Sequence, residues 1–186
     1  MMALNFKEFC NNWVKFCIEL ERRKLKKYEK GKIKGKKFEE EFYKILLEYM
    51  PKGYRIAYQK KIRDVDYKFD FLFIKSDAPD FYDINPSKVL AAFEVKAHGF
   101  YSYKAIENVK SVLESVRKIR PEIKLFYITF RETDTYDEKV RAIFGKFEPN
   151  YYRLSDSGDG VKMPPPRYFS NEWNRLMKDL SALEQL

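Results

Sequence analysis

The sequence contains few residues that could cross-link the chain and no segment that could span a membrane. Its only cysteines, Cys10 and Cys17, stand seven positions apart on a predicted helix. There they share one face as buried thiols but are too far apart for an unstrained disulfide. No apolar run approaches membrane-spanning length, and the N-terminus lacks the basic start and apolar core of a signal peptide. We therefore expect a cytoplasmic protein with free thiols and no membrane partner.

Basic and aromatic residues are abundant instead. The 186 residues include 37 Lys and Arg against 28 Asp and Glu, which gives a formal net charge of +9. Such a balance favours a polyanionic partner. Hydrophobic residues make up 45% of the chain and aromatic residues 17%. These fractions predict one globular domain whose core is rich in Phe and Tyr.

Hydrophobic periodicity predicts helices and strands in an order typical of a mixed α/β domain. A first helix begins at about Phe6 with Asn5 as its cap, and Gly31 and Gly35 predict a break before the second helix. The predicted elements that follow are a helix at 36–49, strands at 54–58, 65–75 and 89–97, a helix at 102–119, a strand at 123–130, a short helix at 137–144, a loop at 155–166 and a last helix capped by Ser170. Antiparallel strands followed by a helix and a further strand predict a mixed sheet.

Three charged residues interrupt two predicted strands that are rich in apolar residues. Glu94 and Lys96 lie two positions apart in Ala91–Lys96, so the period of a strand puts both on one face, and Asp70 stands within Phe69–Ile74. Buried charges are normally paired, bound to a metal or catalytic. Two acids and a lysine at neighbouring strand ends would bind a hard divalent cation and steady a nearby anion. The combination indicates metal-assisted phosphodiester hydrolysis, whereas each residue alone is also compatible with an ion pair at a strand end.

Three further acids could belong to the same site. Glu39 borders the core on the second predicted helix, where it is either an N-terminal charge favoured by the helix dipole or a third acidic member of the site. Asp64 and Asp66 are rivals of Asp70 for the role of first ligand. We prefer Asp70 because it abuts an apolar strand, whereas its rivals lie in a charged segment that we expect to be exposed.

These residues carry a family resemblance. Phe69-Asp70, Glu94-Val95-Lys96 and the preceding helical Glu39 resemble the PD-(D/E)XK nuclease superfamily, although Phe replaces the Pro of the family name. Within it, the run from Lys34 to Leu46 looks like the opening helix of the archaeal Holliday junction resolvases, but the segment before Asp70 lacks their small Ser/Gly stretch. The resemblance implies a restriction-endonuclease-like fold: a mixed sheet flanked by helices, with extra N- and C-terminal helices. It divides a single nuclease domain, 1–186, into a helical extension at 1–33, a catalytic core at 34–130 and a C-terminal extension at 131–186.

The resemblance also implies a role for each site residue. Asp70, Glu94 and the backbone carbonyl of Val95 would hold Mg²⁺, for which Mn²⁺ is expected to substitute. Lys96 would orient or activate the attacking water and offset charge on the phosphate. Glu39 would hold a second metal ion or a metal-bound water. The implied catalytic set is therefore Glu39, Asp70, Glu94 and Lys96.

Basic and aromatic residues near these acids are candidate contacts to nucleic acid. They are Lys34, Lys36, Lys37, Lys60, Lys61, His98 and Tyr101. For the lysines a solvated helix end is the alternative, and for His98 and Tyr101 it is an ordinary loop or packing position.

Together these features predict a Mg²⁺-dependent DNA endonuclease of the restriction type or with another defence role. A structure-specific nuclease, such as a Holliday junction resolvase or a repair nuclease, is the first alternative, and an RNA substrate stays open. The second alternative is a basic nucleic-acid-binding module whose acids are structural. A homodimer is expected for either kind of endonuclease, because one active site cuts one strand.

Overall fold

The computed structural model describes residues 5–99, 102–132, 134–147, 150–156 and 167–185. In these ranges the elements are, in chain order, α1 (Phe6–Glu21), α2 (Lys27–Glu48), β1 (Tyr54–Ile62), β2 (Lys68–Lys75), β3 (Asp83–Ile84), a short 3₁₀ helix (Pro86–Lys88), β4 (Val89–Lys96), α3 (Tyr103–Ile119), β5 (Lys124–Arg131), α4 (Asp134–Phe147), β6 (Asn150–Ser155) and α5 (Ser170–Leu183). The predicted mixed α/β architecture is confirmed.

The strands form one sheet in the order β3-β1-β2-β4-β5-β6. The strand β2 runs antiparallel to both β1 and β4, whereas β4, β5 and β6 run parallel to one another. Parallel neighbours need a crossover connection, and α3 and α4 supply the two crossovers. The sheet is therefore mixed, and β2 and β4 occupy its centre.

Helices cover both faces of the sheet, as strand side chains of alternating direction require. On one face, α1, α2 and α5 pack through aromatic and aliphatic residues against the strands; among them are Phe9, Trp13, Phe38, Phe42, Trp173 and Leu176. On the other face, α3 and α4 pack through Ile106, Leu113, Val116 and Val140. The core is rich in Phe and Tyr, as the composition predicts.

The predicted extensions contribute to the same core as the strands. Trp13 of α1 and Trp173 of α5 are buried in the cluster that contains Phe93 of β4. The predicted boundary between residues 33 and 34 falls inside α2 rather than between two elements.

The predicted break at the two glycines is wrong. The helix α2 runs without interruption from Lys27 through Gly31 and Gly35. Glycine lowers helix stability by only about 1 kcal/mol, and burial of one helix face easily exceeds that. Here Lys34 and Phe38 are buried against the rest of the protein, so packing decides the conformation.

Several strand boundaries also differ from prediction. The strand β1 extends to Ile62, while β2 begins only at Lys68. Neither β3 nor β6 is predicted from the sequence. Of the predicted loop at 155–166, positions 157–166 lie outside the described residues.

The two cysteines are free and buried, as expected. Burial raises the pKa of the Cys10 thiol to about 12. None of the helices in the described ranges is long and apolar enough to cross a membrane.

Candidate active site

The register between β2 and β4 brings two acids together. The last ladder pair is Phe71 with Phe93, and one step further along the same antiparallel register Asp70 lies opposite Glu94. Both acids are buried, with exposed fractions of 4% and 5%. The predicted pairing of these acids across neighbouring strands is therefore present.

The ammonium group of Lys96 bridges the two carboxylates. Its Nζ lies 3.0 Å from Asp70 Oδ2 and also pairs with Glu94 Oε1. Burial lowers the pKa of Lys96, but the charges of Glu94 and Asp70 outweigh burial and raise that pKa. Lys96 is therefore cationic, which suits an electrostatic role better than that of a base.

Hydrogen bonds hold Asp70 on both of its oxygens. Gln59 Nε2 donates to Oδ1 at 2.9 Å, and the backbone N–H of Val95 donates to Oδ2 at 2.8 Å. Together with the contact from Lys96, three donors fix the orientation of the carboxylate. Because the N–H and C=O of one strand residue point the same way, the Val95 carbonyl faces the same side as its N–H.

Glu94 has one satisfied oxygen and one orphaned oxygen. The Tyr67 hydroxyl donates to Oε1 at 2.6 Å, whereas Oε2 is buried and has no hydrogen-bond partner among the residues that the structure describes. Burial, followed by the charge of Asp70, raises the pKa of Glu94 to about 7. A buried unpaired acceptor costs roughly 1–3 kcal/mol, so this oxygen is suited to an additional cation or donor.

Glu39 lies in the middle of α2, close to these charged side chains. The alternative that it is a charge at a helix N-terminus is therefore wrong. Its Oε2 accepts a hydrogen bond of 2.7 Å from the Tyr58 hydroxyl. Burial raises the pKa of Glu39; the charge of Asp70 raises it further and that of Lys96 lowers it, so both charges are within electrostatic reach. Glu39 therefore borders the acid–lysine cluster, which we define as Asp70, Glu94 and Lys96.

The cluster offers few protein ligands to a divalent cation. In the described part of the chain, no group of three or more His, Cys, Asp and Glu side chains is arranged to hold a metal ion. Two buried carboxylates, one with an orphaned oxygen, nevertheless fit Mg²⁺, since that ion uses one or two carboxylates and keeps several waters.

The rival acids lie outside the cluster. Asp64 is exposed, and exposed Asp66 pairs with Lys61 at 2.5 Å. The preference for Asp70 thus agrees with the geometry.

The predicted nucleic-acid contacts fall into different environments. Lys34 does not meet the expectation, because it is 5% exposed and pairs with Glu21 at 3.0 Å. Lys37 pairs with Glu41 and Lys60 with Asp80, at 2.7 Å and 3.1 Å.

The remaining predicted contacts also lie in different environments. Lys61 forms the ion pair with Asp66, and His98 is exposed. Lys36 lines an open cavity of about 540 Å³ that also includes Glu39 and Tyr58. Tyr101 lies outside the described residues.

Sequence reasoning missed three hydrogen-bond donors of the site: Tyr58, Gln59 and Tyr67. The strand predicted at 54–58 ends one residue before Gln59, so the sequence pattern places Gln59 in a connecting segment. The register of the β1–β2 hairpin would have found it, because the flanking pairs place Gln59 opposite Asp70.

Comparisons with known proteins identify a structural neighbour. No protein-family model matches the sequence, and no curated protein matches it. Among solved structures, P. aeruginosa NucC in its cAAA-bound form matches with a TM-score of 0.61 at 12% sequence identity. The match covers 98% of this chain and 91% of that of NucC. The chain has a restriction-endonuclease-like fold. The fold implied by the resemblance is thereby confirmed, while similarity to archaeal resolvases stays a prediction.

Proposed function

We propose that the chain is a Mg²⁺-dependent DNA endonuclease that hydrolyses phosphodiester bonds. The observation that carries the proposal is the acid–lysine cluster, in which Lys96 bridges two buried carboxylates at the centre of the sheet. The fold supports it, because the restriction-endonuclease-like fold is the one that the resemblance to the PD-(D/E)XK nucleases implies. The net charge of +9 is compatible with a DNA partner.

Asp70, Glu94 and the Val95 carbonyl would hold the cation, with Glu39 contributing a second site or an outer hydrogen bond. A bound divalent cation supplies Lewis-acid activation of the phosphate and of water. Lys96 remains protonated beside the acids and offsets the charge that develops on the phosphoryl oxygens. Gln59 and the Val95 N–H keep Asp70 oriented, so that little reorganisation is needed when substrate arrives.

A restriction-type or other defence role is our preferred assignment within this class. The match to NucC covers 98% of the chain and so includes α1 and α5. These helices lie outside the segment 34–130 that resembles the resolvases. A structure-specific resolvase or repair nuclease is the alternative, and we propose a homodimer for either, since two active sites related by a two-fold axis can cut both strands.

The test compares cleavage by the wild type and by Lys96→Met. Supercoiled plasmid and a four-way DNA junction are incubated with Mg²⁺, with Mn²⁺ or with EDTA. Lys88→Met is the matched control, because Lys88 forms an ordinary exposed ion pair of 2.7 Å with Asp77. We expect cleavage that requires the metal, falls at least about 100-fold in Lys96→Met and is unchanged in Lys88→Met.

The outcomes separate the candidate functions. Cleavage confined to the junction would replace the defence assignment with the structure-specific one. DNA binding without metal-dependent cleavage would overturn the endonuclease proposal in favour of a binding module with structural acids. Cleavage that survives Lys96→Met would show that the cluster is not the active site.

A further inference from the structure

Gln59 has an unusual backbone conformation for a residue inside a strand. Its φ is +53°, and Asp64 is the only other non-glycine residue with positive φ in the described ranges. Asp64 lies in the turn after β1, where Asp often takes the left-handed conformation. Gln59 instead lies in the middle of β1. There the left-handed conformation has a steric cost for any residue with a Cβ, and no turn requires it.

The strand β1 does not need this conformation for pairing with β2. Regular pairs flank the position on both sides, Tyr58 with Phe71 and Lys60 with Phe69. Only the intervening step, Gln59 opposite Asp70, is absent from the ladder. The irregularity therefore coincides with a residue of the acid–lysine cluster rather than with a change of strand register.

The side chain at this position has a specific contact. Gln59 Nε2 donates to Asp70 Oδ1 at 2.9 Å. The donors from β4, namely the Val95 N–H and Lys96 Nζ, both reach Oδ2. Gln59 thus approaches Asp70 from the opposite strand and holds the oxygen that β4 does not hold.

Backbone strain persists where the surroundings enforce it, and it concentrates at functional sites. We propose that Gln59 is a positioning residue, held in a left-handed conformation so that its amide fixes the Asp70 carboxylate for cation binding with Glu94. This inference rests on the proposed function. It adds a residue that acts through Asp70 and touches neither the cation nor the substrate.

The experiment separates the side-chain amide from the backbone conformation. Gln59→Met keeps the length of the side chain but removes the donor, Gln59→Ala removes the side chain, and Gln59→Gly also relieves the strain. Mn²⁺ is titrated into each free protein by calorimetry, and thermal unfolding is measured without metal. We expect all three variants to bind Mn²⁺ about 10–100-fold more weakly than the wild type, the usual effect of removing a partner of a metal ligand.

Thermal unfolding should rank the variants differently from metal binding. Gln59→Gly should unfold about 2–4 °C above Gln59→Ala, because glycine adopts positive φ without a steric penalty. The matched controls are Asp64→Gly and Asp64→Ala, which vary the other left-handed residue. They should show the same order of Tm with Mn²⁺ affinity equal to that of the wild type.

The inference is overturned if Gln59→Met binds Mn²⁺ as tightly as the wild type, or if the Asp64 variants lose as much affinity as the Gln59 variants. Both outcomes are distinct from a failure of the proposed function. If the proposed function were wrong, the wild type itself would neither bind Mn²⁺ at the cluster nor cleave DNA.

Discussion

Two buried ion pairs in this protein are built in opposite ways. Between α1 and α2, the side chain of Lys34 is 6% exposed while that of its partner Glu21 is 36% exposed. In the acid–lysine cluster, the acids are 6% and 7% exposed while Lys96 is 38% exposed. The cation is the inner partner in the first pair, and the anions are the inner partners in the second.

The difference indicates different uses. The cluster acids lie on adjacent paired strands, so their carboxylates stay close to each other. The ammonium of Lys96, in contrast, reaches solvent through a flexible side chain. A cation that arrives from solvent can therefore displace Lys96 and find two carboxylates already in place. In the helical pair the acid is the outer group, and it already has a second partner in Lys30 at 2.9 Å. That arrangement anchors α1 to α2 and offers no buried negative site.

The largest expected effect is the difference in DNA cleavage between a variant that lacks Lys96 and one that lacks Lys34. Lys96→Met should lower Mg²⁺-dependent DNA cleavage at least about 100-fold, because charge stabilisation at the phosphate is lost. Lys34→Met should leave cleavage within about twofold and change the free energy of unfolding by about 1 kcal/mol or less, since the remaining partner Glu21 is partly exposed and keeps its ion pair with Lys30. Initial rates and urea denaturation measure both. Equal loss of cleavage in the two variants would remove the distinction between the pairs.

The next largest effect concerns the free energy of unfolding, to which Glu94 and Glu21 should contribute with opposite dependence on pH. The folded-state pKa of Glu94 is raised to about 7, so metal-free native protein binds more protons there than unfolded protein between about pH 4.5 and 7. Stability relative to Glu94→Gln should therefore fall as pH rises through that window, by roughly 3 kcal/mol at most. The measurement is the difference in unfolding free energy between the two proteins at pH 4.5–8.

Glu21 should show the reverse sign. Its hydrogen bonds from Lys30 and Lys34 lower its pKa, so its contribution is present above the unfolded value and is lost as pH falls through the folded value. The effect should be small because about a third of the Glu21 side chain is exposed, where solvent screens the ion pairs. If the wild type and Glu94→Gln kept a constant difference in stability across pH 4.5–8, the interpretation of Glu94 as a destabilised buried acid would be wrong.

A smaller effect is expected at Tyr58. Tyr58→Phe removes the hydroxyl that donates to Glu39 at 2.7 Å, and a net hydrogen bond is worth about 1 kcal/mol. Cleavage should therefore fall about fivefold, and Tm should fall by about 2–4 °C. Tyr28→Phe, at an exposed tyrosine of α2, is the control and should cleave like the wild type. A wild-type rate for Tyr58→Phe would mean that Glu39 does not depend on this contact.

The smallest effect lies in the helical region. A Cβ added at Gly31 or Gly35 meets no atom within 4 Å. Alanine at either position should therefore raise the free energy of unfolding by about 0.5–1 kcal/mol through helix propensity alone, without changing cleavage. Chemical denaturation measures it. A loss of stability in both variants would contradict the continuous helix α2.

The parts that the sequence predicts well are those with a strict local period. Glu94 and Lys96 share a face because strand side chains alternate, and Asp70 stands out because its neighbours are apolar. The sequence places Glu39 beside the core but does not decide whether it is a charge at a helix N-terminus or an acidic member of the site. That decision needs the position at which α2 begins. The helix α2 begins at Lys27, and its first turns form ion pairs with Glu21 of α1 through Lys30 and Lys34. A prediction that ends the preceding segment at the two glycines does not include these tertiary contacts.

What escaped prediction depends on register and tertiary packing. Gln59 acts through a left-handed backbone inside a strand, and no propensity anticipates that conformation for glutamine. The strand β6 is short and carries Arg153 at a buried position, so its pattern does not alternate as a half-exposed strand would. Both features are stabilised by partners that are distant in sequence.

The most direct test of the account is a crystal of the wild type soaked in Mn²⁺ and measured at the manganese absorption edge. We predict an anomalous peak between the carboxylates of Asp70 and Glu94, with the Lys96 ammonium displaced from its position between them. The absence of a peak at these carboxylates at saturating Mn²⁺, with Lys96 still bridging both acids, would contradict the central claim that this cluster is a cation site.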